Sequence, residues 1–266
     1  MAIIAQLYAL NQRTSADMPD KSGMSIASNS LKRLQLLFII NRCFVLTATS
    51  SLIELRNLSC ERDERVLFTG LNVQFMAGQV VQILGPNGSG KTTLLRTLAG
   101  VSHDYEGDIL WCGENVRAQR WDYASQLLYL GHLPGVKKTL TTLENLRWYA
   151  ALQGGVDDSH LLEALAQVNL AGYEDTPCYQ LSAGQTRRVA LARLAFSNAK
   201  VWILDEPFTA LDKAGVAQLE ARLARHAAQG GLVLVTSHQD IALPQLQVLD
   251  LQDFGDFSTE TERAHG

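Results

Sequence analysis

The chain has 266 residues, 47% of them hydrophobic and 19% charged, with 20 Gly and 6 Pro. That is enough to bury a full core as one large domain or two small ones, and the profile is globular rather than disordered or collagen-like. Lys and Arg number 23 against 27 Asp and Glu, so the formal net charge of −4 gives no global attraction for a polyanion and argues against nucleic acid as a partner. No uninterrupted apolar run reaches the ~18 residues of a membrane-spanning helix, which excludes a polytopic transporter.

Residues 1–51 read as a leader, distinct from the rest of the chain. They are rich in Ser and Asn, carry only Asp17 and Asp20 as acids, and contain the apolar stretch 34–40, which Asn41 and Arg42 interrupt. The stretch is too short and polar to span a bilayer and sits late for a secretory signal. A disordered segment, an amphipathic surface anchor and an over-long start remain as readings of it. Cys43, Cys60, Cys112 and Cys178 are scattered and form no C-x-x-C pair, so they read as core thiols of a reducing, cytoplasmic compartment.

An ordered pattern begins at Leu52. Ile53-Glu54-Leu55-Arg56-Asn57-Leu58 alternates like a half-buried strand, and Val80-Val81-Gln82-Ile83-Leu84 is a short apolar strand leading into Gly-rich sequence. Leu94, Leu95 and Leu98 then carry helical spacing, closed by Gly100. Thr141-Thr142-Leu143-Glu144 has the spacing of a capping box and opens a helix. Leu161, Leu162, Leu165 and Val168 form another helical stripe that reads as a core face. Two further strands, Val201-Trp202-Ile203-Leu204 and Leu232-Val233-Leu234-Val235-Thr236, flank an amphipathic helix marked by Val216, Leu219, Leu223 and Ala227. Alternation of strands and helices predicts an α/β fold with a largely parallel, helix-covered sheet and an antiparallel start.

Gly85-Pro86-Asn87-Gly88-Ser89-Gly90-Lys91-Thr92 fits G-x-x-x-x-G-K-[ST], between a strand and a helix as that motif requires, with Thr93 next in the chain. Gly88 and Gly90 let successive backbone N–H groups point at phosphate oxygens, and the helix after the loop adds its positive end. Lys91 supplies a cation to the outer phosphates and the Thr92 hydroxyl can ligate Mg²⁺. By itself the motif implies a nucleoside triphosphate and no particular enzyme. Val201-Trp202-Ile203-Leu204-Asp205-Glu206 adds a strand tip bearing two acids. Asp205 can hold Mg²⁺ through water, and Glu206 can orient and polarise an attacking water, which makes the pair an ATPase signal.

Leu181-Ser182-Ala183-Gly184-Gln185 then resembles the L-S-G-G-Q signature of the ATP-binding cassette (ABC) family. The resemblance implies a P-loop NTPase core with a mostly parallel sheet, an antiparallel β subdomain and a helical subdomain at about 133–190, within a domain spanning 52–245 that ends in a tail, 246–266. It also implies that two copies close head to tail, with Ser182, Gly184 and Gln185 of each meeting the other's ATP. Thr209-Ala210-Leu211-Asp212 is similar to the loop that runs between such subunits, and His238 in Val235-Thr236-Ser237-His238 to the switch histidine at the terminal phosphate. The coupling-loop Gln of the family falls on His132, which can still bond water or metal. The adenine-stacking aromatic is absent; Arg62 occupies about that place, where base stacking and a solvated charge run are equal readings.

The strings at 60–65, 131–135, 181–185 and 202–210 resemble, more narrowly, the haem-exporter-type ATPase subunits of bacterial cytochrome c maturation. Leu133 departs from the Gln often found there. This resemblance implies a peripheral subunit on the cytoplasmic face of the inner membrane, partnered by an integral membrane permease and haem-handling subunits, with ATP turnover linked to haem export or release of a haem-loaded chaperone. His103, His160, His226 and His265 have no haem-attachment context, so the subunit alone is expected not to bind haem specifically. An ATPase for another exporter, of drug, lipid or polysaccharide, is the alternative, and a soluble cassette acting on ribosomes or DNA a more distant one.

Overall fold

A computed structural model describes residues 51–63 and 65–255; the leader, apart from its last residue, and the final eleven residues of the expected tail lie outside the described residues. β1 (Ser51–Arg62) and β2 (Arg65–Met76) form an antiparallel pair, and β4 (Glu106–Trp111) and β5 (Glu114–Asn115) complete a sheet in the order β2-β1-β4-β5. The predicted alternation in β1 holds only to Leu55. The register then shifts between Leu55 and Leu58, so beyond Leu52 and Ile53 the buried positions run Leu55, Leu58, Cys60. Asn57 takes up the extra residue at φ 48°, a left-handed conformation that Asn tolerates better than most. A Cβ on Gly107 would sit 2.4 Å from the Asn57 carbonyl oxygen, so the neighbouring strand admits this bulge only at a glycine.

The second sheet is parallel throughout: β3 (Val80–Leu84), β6 (Leu127–Leu130), β7 (Val201–Asp205), β8 (Leu232–Thr236) and β9 (Leu246–Asp250), in the order β6-β7-β8-β3-β9. Every residue of β7 and β8 is buried, as expected of central strands covered on both faces. The sheet therefore continues past residue 245, where the sequence pattern ends the domain. β9 escapes that pattern because it is an edge strand whose Gln247 and Val248 are exposed, leaving no continuous apolar run.

Helices α1 (Lys91–Leu98), α2 (Arg120–Ser125) and α6 (Lys213–Ala228) accompany the sheets. Three others, α3 (Thr142–Ala151), α4 (Asp158–Ala166) and α5 (Ala183–Ala192), share a separate core containing Leu143, Leu146, Leu161, Leu165 and Val189. The predicted capping box is present: Thr141 Oγ1 accepts from Glu144 N (3.2 Å) and Glu144 Oε2 from Thr141 N (2.8 Å). Of the predicted α4 stripe, Leu161 and Leu165 are buried whereas Leu162 is 41% exposed. Adjacent residues point about 100° apart on a helix, so Leu161 and Leu162 cannot share one face. Among the described residues no helix is long and apolar enough to cross a membrane.

His226 of α6 stacks on Trp202 of β7, ring centroids 3.7 Å apart and planes 6° from parallel, with Nε2 3.2 Å from the Lys200 carbonyl oxygen. Burial lowers its pKa, partly opposed by that hydrogen bond. Folding therefore favours the neutral ring, and the unfolded chain binds more protons as pH falls. The ring's contribution is complete above about pH 6.5, the ordinary histidine value, and is lost progressively below it. The stability advantage of wild type over His226→Gln, read from urea midpoints, is expected to shrink from pH 7.5 to pH 5. An advantage constant over that range would remove His226 as a source of acid sensitivity.

Candidate functional site

Residues 85–90 leave β3 and turn into α1 with positive φ at Gly85 (141°), Gly88 (83°) and Gly90 (91°). At Gly90 a side chain would also be crowded: its Cβ would lie 3.0 Å from Leu67 Cβ and 3.1 Å from Phe68 Cδ1. The antiparallel sheet thus presses the loop into shape. Gly90 caps α1 without any side-chain hydrogen bond, and the first turn holds no acid, which leaves the N-terminal N–H groups and their positive field for an anion. Lys91 Nζ donates to the carbonyl oxygens of Gly85 (2.7 Å) and Pro86 (2.9 Å), holding its ammonium against the loop. Ser89 is fully buried, and among the described residues its hydroxyl has no hydrogen-bond partner.

The tip of β7 meets this cradle. Asp205 is buried, and its Oδ1 accepts from Thr92 Oγ1 (3.2 Å) and Thr236 Oγ1 (2.8 Å). Among the described residues its Oδ2 is buried without a partner, an acceptor whose burial is costly unless something donates to it or it binds a cation. Thr236, the last residue of β8, also accepts from Glu206 N (3.0 Å), so one hydroxyl orders both acids. Glu206 stands at φ 51°, and its carboxylate reaches His238: the backbone N donates to Oε2 (3.3 Å) and Nε2 lies 3.6 Å from Oε1. Thr92, Asp205, Glu206 and His238 are thus linked, through Thr236, at one end of the parallel sheet.

Ser182 caps α5. Its Oγ accepts from Gln185 N (3.2 Å), and Gln185 Oε1 accepts from Ser182 N (3.0 Å). Within the single chain each side-chain oxygen thus satisfies the other residue's backbone N–H. A Cβ on Gly184 would lie 2.8 Å from the carbonyl oxygen of Ala210, itself at φ 62°, so the predicted inter-subunit loop already rests on the signature turn. Asp212 caps α6 through Gly215 N (3.0 Å) and accepts from Arg188 Nη2 (2.7 Å); those two bonds, the backbone one first, hold its carboxyl below the usual range.

The remaining candidates are less engaged. His132 is exposed just beyond β6, and among the described residues no hydrogen bond joins its ring to Asp205, Glu206 or His238. Arg62 is 72% exposed at the β1–β2 turn and pairs with Asp63 (3.4 Å). Arg65 across the turn stands at the cradle, its Nη1 3.9 Å from where a Gly88 Cβ would sit. Sequence reasoning missed Arg65, Thr236 and Arg187. Thr236 could have been found, since it falls between a buried strand and His238.

Arg187 of α5 is 5% exposed. Its Nη1 donates to the carbonyls of Gly131 (3.0 Å) and His132 (3.4 Å), and its Nη2 to those of Asp205 (2.8 Å) and Glu206 (2.7 Å). Burial depresses its pKa, while the negative charges of Asp205 and Glu206 oppose that shift.

A phosphate-binding turn between a central strand and a helix, faced by acids on a second strand tip, defines a nucleoside-triphosphate-hydrolysing P-loop protein. The chain belongs to the ABC transporter family, whose model matches residues 68–209. Its relatives include the "Cytochrome c biogenesis ATP-binding export protein CcmA" of Saccharophagus degradans, 53% identical over 209 residues, covering 75% of this chain and 93% of that protein. The CcmA proteins of Vibrio cholerae (53% identity; 76% and 99% covered) and Escherichia coli O157:H7 (52%; 74% and 94%) are similarly close. Among solved structures, a putative ABC transporter ATP-binding protein of Pyrococcus furiosus aligns at a TM-score of 0.67 and 25% identity, covering 77% of this chain and 99% of that one. A bacterial ABC transporter cassette solved as a dimer aligns at 0.65 and 24%, covering 75% and 94%, and shares the fold.

Proposed function

We propose that this chain is the ATP-hydrolysing subunit of an export complex for cytochrome c biogenesis, working as a head-to-tail pair on the cytoplasmic face of the bacterial inner membrane. The hydrolytic part of this reading rests on one observation above the rest: Glu206 at a strand tip, beside the Thr92–Asp205 pair and within reach of His238. The pathway is supported by the roughly half-identical relatives that carry the cytochrome c biogenesis name.

ATP is held at residues 85–93, where backbone N–H groups and the start of α1 face its phosphates and Lys91 supplies a full charge. The hard-oxygen set formed by the Thr92 hydroxyl and the orphaned Asp205 Oδ2 fits Mg²⁺, which would neutralise charge on the phosphates. Glu206 accepts hydrogen bonding from the attacking water and draws off its proton, and His238 faces the terminal phosphate. The partner copy's Ser182–Gly184 turn supplies the other wall, its helix N-terminus adding a second positive end. Leu133, 80% exposed in the loop after β6, and Trp121, 89% exposed on α2, offer apolar surface that a permease would cover.

The decisive experiment is haem staining of periplasmic c-type cytochromes in a strain deleted for the gene, complemented by wild type or by Glu206→Gln. The expected result is loss of covalent haem proteins, restored by wild type alone. Unchanged cytochromes in a strain with no second copy would discard the pathway and leave the ATPase.

A further inference from the structure

We infer that Arg187 is a positioning residue that fixes the hydrolytic carboxylate and ties it to the signature helix of the same subunit; this rests on the reading of Glu206 as the group that activates water. The two peptides flanking Glu206 are held from outside. The carbonyl of the peptide before it accepts from Arg187 Nη2 (2.8 Å), and the N–H of that same peptide donates to Thr236 Oγ1 (3.0 Å). The peptide after it precedes Pro207 and has no N–H, so its carbonyl is the only handle, and it too accepts from Arg187 (2.7 Å). Fixing both peptides holds Glu206 at φ 51°, a conformation that a non-glycine residue keeps only when its surroundings impose it. Rotation about that bond would swing the carboxylate away from His238 and the cradle.

The other arm of the guanidinium binds the carbonyls of Gly131 and His132, where β6 gives way to the loop ending in the exposed segment around Leu133. A single planar fork therefore spans the ends of β6 and β7. A lysine has one nitrogen and cannot span them. Arg187 sits on α5, whose first turn is the Ser182–Gly184 surface. A displacement of that helix carries the guanidinium with it and reorients the peptides of Glu206. Each subunit's own carboxylate is thereby set by the helix that meets the partner's nucleotide. This gives the two ATP sites a physical link, and it links both to the loop after β6.

Steady-state ATPase kinetics of the full-length chain test the inference, with nucleotide affinity from a fluorescent ATP analogue and melting temperature as controls. Arg187→Lys keeps a buried cation and so is chosen to fold. It is expected to lose about 10-fold in kcat with KM and nucleotide affinity within about 2-fold, and Arg187→Met to lose about 100-fold. In a Glu206→Gln background, Arg187→Lys should slow turnover no further, because both changes remove the same act. A wild-type kcat in Arg187→Lys would overturn the inference, as would a full multiplicative loss in the double variant. Wild-type turnover in Glu206→Gln alone would instead remove the reading of Glu206, which separates the two failures.

Discussion

A Glu206→Gln chain binds ATP as tightly as wild type, hydrolyses it about 100-fold more slowly or worse, and accumulates as an ATP-dependent pair. Glutamine matches glutamate in size and keeps a carbonyl oxygen to accept the hydrogen bond from His238 N, now made at 3.3 Å. The backbone conformation at φ 51° is held through peptide groups and is independent of the side chain. What disappears is a basic oxygen and one negative charge. Loss of the base stops proton transfer from water, whereas loss of the charge relieves repulsion with the phosphates and favours the bound state. In the proposed cycle hydrolysis reopens the pair, so blocking it should trap two chains around ATP. Size-exclusion chromatography with and without ATP reads the pair, and phosphate release reads turnover. Ordinary turnover in the variant would assign water activation to another group.

The parts of this site that were legible in the sequence are those written by local rules. The cradle is a contiguous string whose glycines each answer a backbone need, and the structure puts positive φ at Gly85, Gly88 and Gly90. The box at Thr141 and Glu144 was readable because a helix start exposes N–H groups that a Thr three residues before an acid can satisfy. The same rule operates at Ser182 and Gln185, and there it is compatible with a nucleotide role, since the side-chain oxygens accept from backbone N–H groups whereas a phosphate takes donors. Contacts set by tertiary packing left no such trace. Arg187 lies within an ordinary run of helix formers, and its importance comes from carbonyls 18 to 56 residues away. The bulge at Asn57 is licensed by Gly107, across the sheet, and no local pattern announces it. β9 shows the same limit from the other side: an edge strand needs little apolar sequence because its neighbour supplies the pairing.

Lys91→Ala should weaken ATP binding on the order of 100-fold, the value of a charged hydrogen-bonding group of about 1.5–3 kcal/mol removed together with the loop contacts it makes. The side chain does two things at once. Its ammonium is the full cation that the loop motif itself supplies, beside N–H groups and the partial charge at the start of α1. It also ties down the carbonyls of Gly85 and Pro86, at 2.7 and 2.9 Å, in a segment that glycines leave otherwise free to move. Alanine gives up both, while the helix itself keeps a good helix former at its first position. The fold should therefore survive, because the core behind the loop is made by Leu94, Leu95 and Leu98, all fully buried. Melting temperature without nucleotide is then expected to stay near wild type, and the rise that ATP produces in wild type to shrink sharply at the same concentration, because stabilisation follows the logarithm of ligand concentration over Kd. Since Glu206→Gln should keep that rise and lose turnover, the two variants divide the site into a part that holds phosphate and a part that acts on it. A Lys91→Ala chain still stabilised by ATP to the wild-type extent would mean that backbone N–H groups and the helix end carry the binding alone.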